Sequence, residues 1–393
     1  MKNKKVNLND ICFFQEGPGV RKYQYCTKGV KLINVSNLVN GEIDLSNSNR
    51  YISQEEAYGR YKHFLIDEGD LIIASSGIKV EYLDKKVAFI KKENLPLCMN
   101  TSTIRFKVKN KNELDILYLS YFLKSKNFKN QISKLITGSA QLNFGGSHLK
   151  KINLFLPELN LQKKVSTLLL LIDNTIKNMQ RKISILEQLT KSLFIKYSIG
   201  EKESITNLCN VKARIGWQGL TKKEYLSNGE YYLITGIDFK KEKIDFKNCF
   251  FVTKERYNQD ENIKIKINDI LLTKDGTIGK VAIIDKLEKP ATLNSGVFVL
   301  RPKVNNLNVT YLMHALISDD FKKFIDDIKI GATVPHLNQA ALLKYKLVLP
   351  PIELQNKFAE RIEKIEKLKF EIEKSIETAQ NLYDSLISKY FDN

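Results

Sequence analysis

Two long stretches of the chain place apolar residues at alternating steps of four and three. The first series runs from Val165 to Tyr197, and only Thr190 is polar within it. Adding 193 to each position gives a second series, from Phe358 to Tyr390, in which only Lys369 is polar. A spacing that averages 3.5 residues over several heptads is typical of a coiled coil. The pattern therefore predicts two long helices with matching apolar stripes.

The two stripes are predicted to pack against each other as an antiparallel pair. The two stripes are long, continuous and matched, which favours pairing of the two helices with each other. The alternative is that each helix folds back on its own globular part. The predicted interface residues are Val165, Leu169, Ile172, Ile176, Met179, Ile183 and Leu186 in the first helix, and Phe358, Ile362, Ile365, Ile372, Ile376 and Leu386 in the second.

The repeat extends well beyond the helices. "LPELNLQ" at Leu156 matches "LPPIELQ" at Leu349, and the match needs no gap from Tyr118 onward. Upstream, "GDLIIASSG" resembles "NDILLTKDG", and "INVSNLVNGEID" resembles "ITGIDFKKEKID". A long ordered match of this kind indicates two tandem copies of one module of about 195 residues.

Each copy opens with short β-rich runs and continues with two short helical patterns. Runs such as "DLIIAS" and "TIRFKV" in the first copy, and "DILLTK" and "GVFVLRP" in the second, combine β-branched residues with flanking turn residues. The predicted fold class is α+β, with internal pseudo-two-fold symmetry. The predicted division is a globular part at 1–156, a helix at 157–199, a second globular part at 200–349 and a helix at 350–393.

Charge points to a polyanionic partner, with nucleic acid as the first candidate and an anionic membrane surface as the second. The alternative is a generally lysine-rich composition. The formal net charge is +19, and the two predicted helices hold only about +4 of it, so most of the excess lies in the globular parts. The chain shows no apolar run long enough to cross a bilayer. Its five cysteines form no C-x-x-C pair, which favours a reducing cytoplasm and argues against a zinc site.

Sequence signatures of catalysis are absent. "LPPI" at Leu349 lacks the Asn or Asp and the aromatic residue of an adenine methyltransferase motif, and "GTIGK" at Gly276 lacks the first glycine and the final Ser or Thr of a P-loop. The four histidines share no metal-ligand spacing. We therefore expect a chain that is not itself an enzyme and holds no metal.

The whole chain resembles the specificity subunits of Type I restriction–modification enzymes, the HsdS family. The features that carry the resemblance are the two Leu-Pro-x-x-x-Leu-Gln helices, the segments "GSAQLNF" and "GATVPHL" before them, and the "DGTIGKVAI" loop. The resemblance implies that each globular part is a target recognition domain that reads one half of an asymmetric bipartite site in double-stranded DNA. It implies that the helices fix the spacer between the half-sites.

The resemblance also implies partner subunits. Two modification subunits would bind S-adenosylmethionine and methylate adenine, and two restriction subunits would use ATP and Mg for translocation and cleavage in phage defence. Two alternatives remain open at this point. One is a scaffold or inhibitory relative that does not read DNA, and the other is a detached specificity subunit of another phage-defence methyltransferase system.

Candidate DNA-facing residues are small polar or basic, and they lie in three places in each copy. These are an N-terminal loop (16–25 and 212–225), a glycine turn after a buried strand (75–79 and 274–280) and the pre-helix segment (138–143 and 331–338). The alternative for the glycine turn is an ordinary hairpin without a binding role. The similarity of the two pre-helix segments could instead reflect packing of the helix against the globular part. In the first copy the candidates are Arg21, Lys22, Ser75, Ser76, Gly77, Lys79, Ser139, Gln141 and Asn143. In the second they are Lys212, Arg214, Lys222, Lys274, Thr277, Lys280, Thr333, His336 and Asn338.

Overall fold

The computed structural model describes residues 4–47, 49–136, 142–329 and 336–392. The chain divides into two compact units, and each takes part of both long helices. The first unit comprises Met1–Gln180 together with Glu373–Asn393, and the second comprises Arg181–Ile372. The predicted division at 156, 199 and 349 follows chain segments instead of compact units, and it stays a prediction.

The first unit contains a four-stranded antiparallel sheet in the order β2-β11-β7-β9 and a three-stranded sheet in the order β10-β3-β6, in which β10 and β3 are parallel. Two-stranded pairs join β1 to β13, β12 to β8 and β4 to β5. The strands are β1 (Lys4–Asn7), β2 (Cys12–Glu16), β3 (Val30–Leu32), β4 (Leu38–Val39), β5 (Glu42–Ile43), β6 (Tyr51–Ile52), β7 (Leu71–Ala74), β8 (Ser76–Ile78), β9 (Val87–Phe89), β10 (Leu97–Cys98), β11 (Thr103–Val108), β12 (Leu142–Asn143) and β13 (Asn153–Leu156).

The second unit repeats the four-stranded sheet, the three-stranded sheet and two of the three two-stranded pairs of the first unit. Its four-stranded sheet has the order β15-β23-β20-β21, its three-stranded sheet has the order β19-β16-β22 with β16 and β22 parallel, and β14 pairs with β24. A further pair joins β17 to β18. The strands are β14 (Glu201–Ser204), β15 (Cys209–Ala213), β16 (Tyr231–Ile234), β17 (Phe239–Lys240), β18 (Lys243–Ile244), β19 (Phe250–Val252), β20 (Ile270–Thr273), β21 (Val281–Ile283), β22 (Ala291–Leu293), β23 (Val297–Pro302) and β24 (Lys346–Leu349).

The helices follow the same repeat. The two short helical patterns predicted in each copy are confirmed as α3 and α4 and as α9 and α10, and the two long helices are confirmed as α6 and α12. The helices are α1 (Leu8–Ile11), α2 (Gln54–Tyr58), α3 (Ile116–Lys124), α4 (Lys126–Leu135), α5 (Gly146–Leu149), α6 (Leu159–Tyr197), α7 (Ile205–Leu208), α8 (Lys254–Tyr257), α9 (Val309–Ile317), α10 (Asp319–Lys329), α11 (Gln339–Leu342) and α12 (Ile352–Phe391).

The ends of both long helices are built into the cores of the units. In the first unit, Val165 and Leu169 at the start of α6 share one apolar core with Ile387 and Phe391 at the end of α12. In the second unit, the end of α6 meets the start of α12, where the rings of Phe194 and Phe358 lie 5.8 Å apart. Within each unit the start of one helix therefore packs beside the end of the other, which is the antiparallel arrangement.

The remaining residues of the predicted stripe differ in burial along the helices. Ile172 and Ile176 are buried. The middle of the stripe is half-buried and comprises Met179, Ile183 and Leu186 in α6 with Ile372 and Ile376 in α12. In α12, Phe358, Ile362 and Ile365 belong to the second unit's core, and Leu386 packs against the first unit's core.

The Leu-Pro motif before α6 holds a buried, fully hydrogen-bonded glutamine. The Oε1 atom of Gln162 accepts a hydrogen bond from the backbone N–H of Asp115 at 2.9 Å. Its Nε2 atom donates to the carbonyl oxygens of Glu113 and Pro157, each at 2.8 Å. Asp115 is in turn the N-cap of α3. The glutamine therefore joins the start of the long helix to the start of α3.

The second copy repeats these contacts at equivalent atoms. The Oε1 atom of Gln355 accepts from the backbone N–H of Asn308 at 2.9 Å, and its Nε2 atom donates to Asn306 O at 3.0 Å and Pro350 O at 2.7 Å. Asn308 is the N-cap of α9. Because a buried amide needs partners for its polar atoms, the repeated glutamine has a structural explanation in both copies.

No helix among the described residues is long and apolar enough to cross a membrane. All five cysteines are free thiols. Burial raises the pKa of Cys12, Cys98 and Cys209 to about 12, so these three groups stay protonated at neutral pH.

Candidate nucleic-acid interface

The glycine turn and the pre-helix segment of the first unit lie side by side. Strand β8, which contains Ser76 and Gly77 of the turn, pairs with β12 of the pre-helix segment. The backbone N–H of Phe144 donates to the carbonyl oxygen of Ser75 at 2.9 Å. Ser75 and Asn143, which lie 68 positions apart in the sequence, therefore belong to one surface region.

The second unit brings the same two segments together through the equivalent bond. The backbone N–H of Leu337 donates to the carbonyl oxygen of Lys274 at 3.0 Å. Beside it, the imidazole Nδ1 of His336 contacts the carboxylate of Asp275. One backbone frame is thus built twice, and it carries different side chains in each copy.

Each turn depends on a glycine with positive φ. Gly77 has φ of +74° and Gly276 has φ of +65°. A Cβ atom at either position would meet no other atom within 4 Å, so the backbone of both turns is open to an incoming molecule. Small residues of this kind allow a backbone N–H to approach a phosphate closely.

The N-terminal loop adjoins the glycine turn in the second unit through a chain of hydrogen bonds. The amide of Asn294 donates to the hydroxyl of Tyr225 in that loop, and its Oδ1 atom accepts from the backbone N–H of Gly296 at 2.7 Å. The carbonyl oxygen of Gly296 accepts from the backbone N–H of Lys274 at 2.9 Å. All three predicted places therefore meet in this unit.

The first unit has a related connection. The backbone N–H of Ser75 donates to Ser102 O at 2.9 Å, which is the equivalent of the Lys274 bond. Gly17, at the start of the N-terminal loop, lies so close to Asn100 that a Cβ atom would sit 2.1 Å from its carbonyl oxygen. The N-terminal loop and the glycine turn therefore both contact the segment just before β11.

Most of the predicted DNA-facing side chains are accessible. The exposed ones are Arg21, Lys22, Gly77, Lys79, Asn143, Lys212, Lys222, Thr277, Lys280, His336 and Asn338. Ser76 and Lys274 are half-buried. Ser139, Gln141 and Thr333 lie outside the described residues.

Two of the predicted residues are buried. The Ser75 hydroxyl donates to Thr101 O at 3.4 Å. Arg214 is 1% exposed, and its guanidinium donates to Leu293 O at 2.8 Å, Thr292 Oγ1 at 3.1 Å and the Gln259 side chain at 2.9 Å. Burial lowers the pKa of Arg214. These contacts occupy its donors inside the unit, so its placement lends no support to a DNA contact.

Asn338 has a structural task as well as an exposed position. It is the N-cap of α11, and its Oδ1 atom accepts from the backbone N–H of Ala341 at 2.8 Å. Such a cap stabilises a helix by about 1 kcal/mol. The capping bond uses the Oδ1 atom of Asn338 and does not involve its amide nitrogen.

The described residues contain no group of three or more His, Cys, Asp or Glu side chains arranged to hold a metal ion.

The chain shares its fold with a solved Type I restriction–modification S subunit from M. genitalium. The two align over 99% of this chain and 96% of that one, with a TM-score of 0.60 and 17% sequence identity. A second solved structure, from work on assembly of the Type I restriction–modification system, aligns over 99% of this chain and 97% of that one with a TM-score of 0.60 and 14% identity. At these identities the likeness establishes the fold.

Family membership rests on the sequence match. The family described as Type I restriction modification DNA specificity domain matches the chain twice, over residues 1–188 and 200–379. The chain therefore belongs to this family and carries two copies of its domain, and DNA target recognition is its function.

Relatives include two specificity subunits. The Type I restriction enzyme MjaVIII specificity subunit of Methanocaldococcus jannaschii is 25% identical over 350 residues, which covers 82% of this chain and 79% of that protein. The Type I restriction enzyme StySPI specificity subunit of Salmonella potsdam is 22% identical over 300 residues, covering 70% of this chain and 64% of that protein.

Proposed function

We propose that the chain is the non-catalytic specificity subunit of a Type I restriction–modification complex and that each copy reads one half of an asymmetric bipartite target. One observation carries this proposal. The backbone bonds Phe144 N to Ser75 O and Leu337 N to Lys274 O build the same frame twice. The frame carries Ser76 and Lys79 in one copy and Asp275 and Thr277 in the other.

A shared frame with different side chains fits two readers of unlike half-sites. Each base pair presents its own donor and acceptor pattern in the major groove, so different polar side chains select different bases. Exposed lysines such as Lys22, Lys222 and Lys280 supply phosphate contacts that raise affinity without reading sequence.

The long helices are proposed to set the number of base pairs between the half-sites. Helix α6 is continuous from Leu159 to Tyr197, across the boundary between the two units at Gln180. The burial of Val165 and Phe358 in the cores of the units supports a firm attachment at both places.

The same helices are proposed to bind two modification subunits, with two restriction subunits completing the complex. Support comes from large apolar side chains that remain exposed on them, since exposed apolar surface marks interaction sites. These are Leu168, Leu170, Leu171, Ile185, Leu189 and Ile195 on α6, and Leu368, Phe370 and Leu382 on α12. S-adenosylmethionine, ATP and Mg are assigned to the partner subunits.

Methylation mapping tests the proposal. Cells that carry the chain and its modification subunit should contain methylated adenines in a two-part, non-palindromic motif with a fixed spacer. DNA binding by the purified pair should fall steeply with salt, because each neutralised phosphate releases counterions. Binding that ignores both salt and sequence, with the subunits still associated, would instead identify a scaffold that does not read DNA.

A further inference from the structure

A short 3-10 turn occupies the same place in the N-terminal loop of both units. It spans Lys22–Gln24 in the first and Lys222–Glu224 in the second. In each, the side chain of the last residue closes the turn: Gln24 Oε1 accepts from the backbone N–H of Arg21 at 2.9 Å, and Glu224 Oε2 accepts from that of Thr221 at 2.8 Å. The two turns are therefore equivalent, with an offset of 200 residues.

The same closing residue braces the turn against a neighbouring helix in both units. Gln24 Nε2 donates to Glu56 Oε1 at 2.6 Å, and Arg256 Nε donates to Glu224 Oε1 at 2.6 Å. Glu56 and Arg256 are themselves 200 positions apart, in α2 and α8. In the first unit the turn residue donates and the helix residue accepts, and in the second unit the roles are reversed. The contact is present in both units, so both turns are held against the neighbouring helix.

The outward-facing residues of the braced turns differ. Arg21, Lys22 and Tyr23 of the first unit correspond to Thr221, Lys222 and Lys223 of the second, and all six are exposed. Tyr23 is 85% exposed. A tyrosine held in water on a fixed turn loses little conformational freedom on binding, which is why tyrosine and arginine are enriched at recognition surfaces.

We infer that these two turns are corresponding half-site readers. This inference rests on the proposed function and names side chains that carry out its recognition step. The shared lysine, Lys22 or Lys222, contacts the phosphate backbone, which is the same for every sequence. The flanking pair contacts base edges and differs between copies: Arg21 with Tyr23 reads one half-site, and Thr221 with Lys223 reads the other.

The chemistry of each pair sets what it can read. An arginine fork matches the O6 and N7 acceptors of guanine, and an aromatic ring packs against a thymine methyl group. Lysine also donates to guanine. The Thr221 hydroxyl donates to Glu224 Oε2 at 2.9 Å, so its lone pairs remain to accept a hydrogen bond from a base. The two turns therefore select different bases even where their backbones take the same position on DNA.

Exchanging the two pairs tests the inference in the full chain bound to its modification subunit. One variant combines Arg21→Thr with Tyr23→Lys, and the reciprocal variant combines Thr221→Arg with Lys223→Tyr. Methylation mapping should show altered bases in one half-site for the first variant and in the other half-site for the second, with the spacer unchanged. Tyr23→Ala should lower the preference for the native half-site over its variants by about tenfold.

Two single substitutions serve as controls. Lys22→Ala should weaken binding evenly across sequences and leave the methylated motif unchanged. Tyr58→Ala removes another exposed tyrosine of the first unit, in α2 outside the turn, and should leave both motif and affinity unchanged.

The outcomes separate this inference from the proposed function. If the unaltered complex shows no two-part motif, the proposed function fails and the inference falls with it. If the unaltered complex shows the motif and both exchange variants keep it, the readers lie elsewhere and the inference alone is wrong. Should an exchange variant unfold at a lower temperature, Tyr23→Ala decides, because that side chain is exposed.

Discussion

At the residue scale, Gln162 and Gln355 explain why the Leu-Pro-x-x-x-Leu-Gln motif occurs in both copies. Both are buried. Each accepts one backbone hydrogen bond and donates two, so each joins the first turn of a long helix to the cap of a shorter one. The repeated motif thus belongs to the scaffold, and the side chains proposed to contact DNA lie outside it.

The first prediction concerns Gln355→Leu. The substitution leaves the Asn308 N–H and two carbonyl oxygens without their partner in a buried place, and each such loss costs about 1–3 kcal/mol. We expect the free energy of unfolding to fall by about 2 kcal/mol or more, measured by chemical denaturation. Gln180→Leu, at an exposed position of α6, should change it little, and equal effects would contradict the role assigned to Gln355.

His314 shows how the two copies diverge at equivalent buried positions. Its counterpart, Tyr121, donates a hydrogen bond to Asp173 at 3.1 Å. The Nε2 atom of His314 has no hydrogen-bond partner among the described residues. Burial, together with the positive charge of Lys369, lowers the pKa of His314 to about 4. The folded protein therefore holds this imidazole neutral.

The second prediction follows from that pKa. Between pH 6.5 and about 4 the unfolded chain binds a proton that folded His314 does not, so stability is full above pH 6.5 and declines as the pH falls through this window. The loss attributable to His314 amounts to at most about 3 kcal/mol. His314→Phe should flatten this part of the pH–stability curve. An unchanged slope in His314→Phe would contradict the prediction.

At the element scale, the long helices hold the ends of their stripes in the unit cores and leave the middle half-buried. Lys369 interrupts the second stripe where the first has Ile176. The ammonium group of Lys369 forms an ion pair with Glu366 at 3.0 Å. The Lys369 side chain is 20% exposed, so this pair lies near the solvent. The interruption is therefore accommodated by the helix itself.

The third prediction concerns Ile176→Asp. It places a carboxylate at a buried position of α6, and we expect the first unit to lose about 3 kcal/mol of stability, with less methylation at the normal spacer. Ile372→Asp, at a half-buried position of α12, should have a smaller effect. Thr175→Asp adds the same charge at an exposed neighbour and is the control. Equal stability and methylation in all three variants would mean that the stripe is not an interface.

At the scale of the whole molecule, two copies of one topology occupy two separate units, each with its own four-stranded sheet and its own core. The two copies are alike in frame and unlike in exposed side chains. Two unlike copies fit a target whose halves differ and whose spacing is set by the protein.

The fourth prediction is that the two copies recognise their half-sites independently. Replacing residues 1–156 with the corresponding part of another family member should change one half of the methylated motif and leave the other half and the spacer as they were. Genome-wide methylation mapping of the chimaera measures both halves at once. A chimaera that altered both half-sites would show that the units do not read independently.

The sequence alone determined the tandem repeat, several strands and two short helices in each copy, and the two long helices. These follow from local periodicity: "DLIIAS", "TIRFKV" and the heptad stripe each carry the apolar spacing of the element they form, and β7, β11 and α6 appear where that spacing lies. The repeat itself was visible because both copies need the same buried positions.

Only the tertiary structure decided which distant segments meet. It pairs β1 with β13 across about 150 residues, joins the glycine turn to the pre-helix segment, and places the end of α12 in the core of the first unit. It also turned Arg214 inward, although its type and position suggested a DNA contact. Such outcomes depend on long-range packing and on where each buried polar group finds its partner, and neither leaves a periodic signal in the chain.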